Sequence, residues 1–218
     1  MSLIGPSLTC LTDPEALLVA DASTVINLNA SGCARKVLDA LPNRFVVVDA
    51  VPLELAGGRQ RLRQDSDLLN KLVNSNSVEI VRLDDGAAKD FEQLVVGAAA
   101  MTLDDGEAAT IAYAVSQNAV ALIDERKAIR ICGERFPNLR IGCTVDIFAH
   151  PEVQRALGKD VLSNAVFNAL YQGRMRVLSR HVEWVVELIG AERAGLCVSL
   201  PSSVRFGITG CEGKPKLG

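Results

Sequence analysis

Apolar residues in this chain come in short continuous runs separated by amphipathic stretches, the pattern of buried strands joined by helices. Leu17 to Ala20, Phe45 to Val48, Ala119 to Ile123 and Arg140 to Val145 read as strands. Val78 to Leu83 alternates apolar and polar residues, which predicts a half-exposed edge strand. The spacing predicts helices from the Asp21-Ala22-Ser23-Thr24 turn to about Asn29, over Cys33 to Leu41, and over Val51 to about Asn74 with a kink at Gly57-Gly58. Further helices are expected over Gly86 to Met101, from Asp104 through Ser116, and over Glu125 to Phe136. Ala108, Ile111, Ala112 and Val115 make the buried stripe of the helix after Asp104. Strands alternating with helices imply right-handed βαβ crossovers, an α/β fold and a largely parallel sheet of about five strands.

Beyond Phe148 the strand pattern stops. Asp160 to Gly173 and Arg180 to Ala194 read as helices, the second with an apolar face of Val182, Val185, Val186 and Ile189 and with Trp184 beside it. That face can pack on the same chain or on a partner. The expected organisation is an irregular lead-in over 1–16, an α/β domain over 17–150, a helical extension over 151–195 that packs on it, and a flexible tail over 196–218.

Composition narrows the function classes. The 218 residues suffice for one sizeable α/β domain. Hydrophobic residues at 49% and charged residues at 22% mark a globular chain. Aromatics are only 4%, so the core is aliphatic and there are few rings on which single-stranded bases could stack. The net charge of −3 means that any nucleic-acid contact needs local basic patches. The six cysteines form no CxxC pair and have no histidine at zinc spacing, so no structural zinc is expected from the spacing. Scattered thiols without a signal peptide suggest a reducing cytoplasm. No apolar run reaches the roughly 18 residues a membrane helix needs.

The candidate chemistry lies in four acids at element junctions. Asp21 and Asp124 end apolar strands, and Glu54 and Glu107 fall near helix starts. In open α/β sheets, ligands bind beyond the carboxyl ends of the strands where strand order reverses. If the first and fourth strands are neighbours, Asp21 and Asp124 face one crevice. Converging carboxylates repel each other, and a hard divalent cation such as Mg²⁺ or Mn²⁺ relieves the repulsion. Each acid also has a plainer reading. Asp21 and Asp124 can cap helices, Glu107 can complement a helix dipole, and Glu54 can be a solvated helix residue.

At these positions the chain resembles the PIN-domain family of metal-dependent ribonucleases, whose members include VapC-like toxins of toxin–antitoxin pairs. The matching stretches are Val19-Ala20-Asp21-Ala22-Ser23, Val51-Pro52-Leu53-Glu54-Leu55, Gly106-Glu107-Ala108-Ala109 and Ala121-Leu122-Ile123-Asp124-Glu125-Arg126. The resemblance spans about residues 17 to 150 and implies a three-layer α/β/α PIN-like domain. It implies that Asp21, Glu54, Glu107 and Asp124 hold Mg²⁺ or Mn²⁺ and that Ser23 lines the pocket. Thr144 or Asp146 after the last strand would support the site. Asp104 and Asp105 add acids beside Glu107, either as outer support or as a replacement ligand.

The implied activity is an endoribonuclease that hydrolyses RNA phosphodiesters through a metal-activated water. It would be cytoplasmic and homodimeric, and the resemblance to VapC-like members implies the toxin of a pair with an antitoxin protein as partner. Arg126, Lys127 and Arg130 follow Asp124 and are the leading RNA contacts; Arg59, Arg61 and Arg63, and Arg174, Arg176 and Arg180, form two further basic clusters. Three other functions compete. An aspartyl-phosphate phosphatase would want a second Asp where Ser23 stands, and a Rossmann nucleotide site would want a glycine-rich loop after the first strand. A catalytically silent PIN-like module would bind a protein or RNA partner without cutting.

Overall fold

The computed structural model describes residues 9–57 and 60–206. Alternation of strand and helix runs through its first two thirds: β1 (Leu18–Ala20), α1 (Ala22–Ala30), α2 (Ala34–Ala40), β2 (Phe45–Val48), α3 (Ala50–Gly57), α4 (Gln60–Asn74), β3 (Glu79–Val81) and α5 (Asp85–Val95). Then come α6 (Asp105–Ser116), β4 (Val120–Leu122), α7 (Arg126–Arg135) and β5 (Arg140–Gly142). The remainder is helical: α8 (Thr144–Phe148), α9 (Pro151–Leu157), α10 (Lys159–Tyr171), a 3-10 turn (Ser179–His181), α11 (Val182–Ile189), α12 (Ala191–Leu196) and α13 (Ser202–Phe206).

The five strands are parallel, in the order β3-β2-β1-β4-β5. β1, β2 and β4 are buried on both faces, which is why they read as unbroken apolar runs. The edges β3 and β5 carry the exposed residues. Ala20 pairs with Leu122, so β1 and β4 end level with one another. The chain builds outward from β1 to β3 and then restarts on the other side with β4, and that reversal lies between β1 and β4.

Alternate strand residues feed two cores. Leu18, Ala20, Val47 and Leu122 face α1 to α4 together with the helices after β5. Val19, Val46, Val48, Ala121 and Ile123 face α5, α6 and α7. The result is a three-layer α/β/α sandwich in which the C-terminal helices form part of one outer layer. Trp184, Val185, Leu188 and Ile189 lie in the same core as β1, so the α11 face packs on its own chain.

Several expected boundaries move, each for a local reason. β5 stops at Gly142, and Thr144 opens α8 instead of continuing the strand to Val145. Asp146 accepts the Cys143 N–H at 2.9 Å, which caps that helix. α5 ends at Val95, ahead of Gly97 at φ +137°, and does not reach Met101. Gly190 at φ +82° divides the expected 180–194 helix into α11 and α12. α9, with Pro151 at its first position and the His150 ring as cap, was not anticipated. Cys197 and Leu200 are buried and Ser202–Phe206 is helical, so looseness does not begin at residue 196. Residues 207–218 of the expected tail lie outside the described residues.

Because Trp184 is the chain's one tryptophan and sits in the core shared with the sheet, its fluorescence reports on the C-terminal layer. Tryptophan emission and far-ultraviolet circular dichroism are expected to follow one coincident urea transition. A tryptophan transition that precedes the loss of helix signal would show that the layer unfolds as a separate unit.

Candidate metal centre

Asp21 follows β1 directly and is the N-cap of α1 (φ −81°, ψ 174°). One residue therefore ends a strand and begins a helix, which turns its carboxylate toward the crevice at the strand ends. Oδ1 accepts the Thr24 N–H at 2.7 Å, and the Ser23 hydroxyl lies 2.9 and 2.8 Å from the two oxygens. The capping reading and the site reading describe the same geometry.

Asp124, two residues past the end of β4, is also buried. Thr144 holds it with both its backbone N–H (2.9 Å, to Oδ1) and its hydroxyl (2.5 Å, to Oδ2). Asn27 Nδ2 donates to Oδ2 at 2.7 Å. Asn27 escaped the sequence reading. Its signal was three-residue spacing, since Asp21, Thr24 and Asn27 fall on one side of α1 while Val25 and Leu28 fill the core.

Both carboxylates are 2% exposed. Burial, then the neighbouring Asp124 charge, pushes the Asp21 carboxyl up to about 7. Burial raises Asp124 too, against the bonds from Thr144 and Asn27. Glu107, in the first turn of α6, is half-buried. Burial and the charges of Asp104, Asp21 and Glu125 push it up to about 7, with Lys127 acting in the opposite sense. Crowded, desolvated carboxylates with oxygens to spare fit a hard divalent cation, because the cation removes the repulsion that now raises them.

Glu54 stands at the rim, in the second turn of α3. The residue as a whole is exposed, but its carboxylate tip tucks against Gly106, where a Cβ would collide with Oε2. Burial of that tip and the charge of Asp104 raise it. Asp104 caps α6 through the Glu107 N–H (2.9 Å) and is exposed, as is Asp105. Asp146 does not line this pocket, though its charge adds to the upward push on Asp124. Its oxygens accept from the N–H groups of Cys10 (3.1 Å) and Cys143 (2.9 Å), the Cys143 thiol (3.0 Å) and Arg180 (2.8 Å).

A pocket of about 160 Å³ opens beside these acids, lined by Ser23, Asn27, Glu107, Asp124 and, from the segment after α10, Arg174 and Arg176. A family model described as a PIN domain matches residues 17–191. The chain belongs to the PIN-domain family. Comparison with curated proteins and with solved structures gave no match. PIN domains are generally nucleases that use divalent metals. In this PIN domain the match extends past β5 through α11, so it includes the segment between α10 and the 3-10 turn that carries the pocket's arginines.

Those arginines reach the pocket by a close approach. A Cβ on Gly173 would come within 2.5 Å of Ala169 O and 2.7 Å of Asn27 Oδ1, so only glycine lets the chain pass α1 there. Arg174 follows at φ +57°, a conformation costly for a non-glycine residue. Arg176 pairs with Glu125 at 2.7 Å. Among the three expected RNA contacts, Arg126 is exposed and Lys127 acts on Glu107. Arg130 instead binds Glu134 and the Ala100 carbonyl, both at 2.9 Å. Arg59 and the side chains of Arg61 and Arg63 lie outside the described residues.

Two outcomes follow for the metal-free protein. A folded carboxyl raised from 3.8 to about 7 holds a proton that the unfolded chain has released. Its stability contribution is complete below about 4 and is lost as pH rises through about 7. Asp21→Asn keeps the cap and removes the titration. Its melting temperature in chelator is therefore expected to rise relative to the unsubstituted protein between pH 5 and pH 8; a constant difference across that range would refute the assigned environment. Gly106→Ala is expected to displace Glu54 with little change in melting temperature, because only a side-chain tip must move, while Mn²⁺ affinity by calorimetry falls about tenfold.

Proposed function

We propose that this PIN domain is a Mg²⁺- or Mn²⁺-dependent endoribonuclease. The observation that carries the reading is the convergence of Asp21, Glu107 and Asp124 at the level ends of β1 and β4, with Asp21 and Glu107 pushed up to about 7. Asp21, Glu107 and Asp124 would hold the cation directly, with Glu54 reaching in from the rim. When bound, the cation supplies positive charge against a phosphodiester and lowers the pKa of water.

The chain's own residues do the rest. Ser23 and Thr24 fix the Asp21 carboxylate, and Thr144 and Asn27 fix that of Asp124, so neither must reorganise when a substrate arrives. Lys127, Arg174 and Arg176 bring positive charge to an acidic pocket that would otherwise repel a nucleic-acid backbone. Arg126, exposed at the start of α7, would add a further contact for RNA. The aspartyl-phosphate alternative finds no support, since Asp21 faces a second buried carboxylate and its neighbour Ser23 donates to it. The toxin role, an antitoxin partner and a homodimer rest on the family resemblance; a cytoplasmic setting rests on the free thiols Cys10, Cys33, Cys132, Cys143 and Cys197. No helix among the described residues is long and apolar enough to cross a membrane.

The purified protein with Mn²⁺ is expected to cut RNA internally. Asp21→Asn and Asp124→Asn should each lower the rate by more than about 100-fold, and Thr144→Val by about 10- to 100-fold. RNA left intact by all of them, the unsubstituted protein included, would favour a silent binding module. Arg174→Ala and Arg176→Ala are each expected to lessen the salt dependence of single-strand RNA binding, by about 0.7 in the slope of log K against log salt, with Mn²⁺ affinity unchanged. An unaltered slope would remove those arginines from the RNA path.

A further inference from the structure

Away from the acidic pocket, Cys143, Asp146 and His181 bring a sulfur, a carboxylate oxygen and a ring nitrogen within 4.8 Å of one another, all fully buried. They come from two places in the chain, the β5–α8 junction and the 3-10 turn before α11. Cys143 Sγ lies 3.0 Å from Asp146 Oδ2, and His181 Nε2 lies 3.2 Å from Oδ1.

The imidazole is the anomaly. His181 is 0% exposed, yet neither ring nitrogen has a hydrogen-bond partner of good geometry; the Asp146 oxygen is close to Nε2 but poorly aligned. Buried polar nitrogens are ordinarily satisfied, so an orphaned ring aimed at a carboxylate and a thiol calls for an account. A metal ion accepts lone pairs from all three groups and supplies one.

We propose that Cys143, Asp146 and His181 form a second metal site, built for a structural Zn²⁺-like ion. Thiolate and imidazole ligands select zinc over magnesium, whereas the acidic pocket offers only hard oxygens. Binding replaces a proton: the Cys143 S–H bond breaks, a sulfur–metal bond forms, and the proton leaves to solvent. One thiolate and one carboxylate balance the charge of the ion. Arg180 pairs with the same carboxylate, 2.8 Å from Asp146 Oδ2. The Cys10 N–H is 3.1 Å from Asp146 Oδ1, while its sulfur lies 3.5 Å from the Ile141 carbonyl oxygen, outside the three-ligand group. The ion would tie the β5–α8 junction to the 3-10 turn, with Cys143 next to the Thr144 that holds Asp124.

The full chain is dialysed against excess Zn²⁺ and then against metal-free buffer, and its metal content is measured; a parallel sample receives Co²⁺ and its absorption spectrum is recorded. About one retained zinc per chain and a thiolate-to-cobalt charge-transfer band are expected, both preserved in Asp21→Asn, which impairs only the acidic pocket. Cys143→Ser should abolish the band, and His181→Gln should weaken zinc retention at least about tenfold. No thiolate band in the unsubstituted protein would overturn the site whatever the variants do. So would an undiminished band in Cys143→Ser that keeps a native circular dichroism spectrum. If Cys143→Ser does not fold, the readout is the melting temperature of Asp21→Asn, which Zn²⁺ raises if the site exists and leaves unchanged if it does not. None of these readouts depends on RNA cleavage.

Discussion

Asp21 and Asp124 are held out of water side by side; burial raises both carboxyls, and the Asp124 charge makes Asp21 harder still to ionise. Two neighbouring parallel strands end level, so the first polar residues after them meet. Much of the nearby architecture serves to keep these groups buried without letting them drift apart. Ser23 and Thr24 hold one, and Asn27 and Thr144 hold the other. The residual repulsion is what makes the pocket receptive to a cation, since a site already neutral would gain little from one. Glu107 joins from α6 under the same field, while Glu54 stays at the rim because Gly106 admits only its tip.

The C-terminal helices change how the pocket should be understood. They are part of one layer of the sandwich, and α10 carries the chain to Gly173, which touches α1 at Asn27. Two arginines follow and face the acids. An acidic pocket and its positive counterweight are thus set by the same close approach. The strained backbone at Arg174 lies between the close approach of Gly173 and the buried Met175.

Asp146 illustrates how a polar residue after the last strand can serve the site from outside it. Burial alone would raise its carboxyl, but the closeness of His181, the bond from Cys143 and the charge of Arg180 outweigh that and hold it well below the usual range. It gathers two distant segments, at Cys10 and Arg180, and fixes the start of α8, whose first residue, Thr144, is the main support of Asp124.

The strand runs, the parallel α/β plan and the location of Asp21, Glu107 and Asp124 at element junctions were all legible in the sequence. Burial on both faces leaves an apolar run, capping leaves an acid or hydroxyl, and both are signals between near neighbours in the chain. The resemblance of those same stretches to PIN domains agrees with the family match over 17–191. What the sequence did not disclose involves long separations. Asn27 meets Asp124 across 97 residues, Thr9 and Cys10 meet Asp146 across 137 and 136, and Arg180 meets it across 34. Spacing rules for metal ligands, which look a few residues either way, likewise passed over Cys143 and His181. Local periodicity determined which elements form and where their polar ends lie. Only tertiary packing decided which of those ends meet, because a contact between distant segments depends on the order of strands in the sheet and the layer each helix covers, and neither is written in the residues that make the contact.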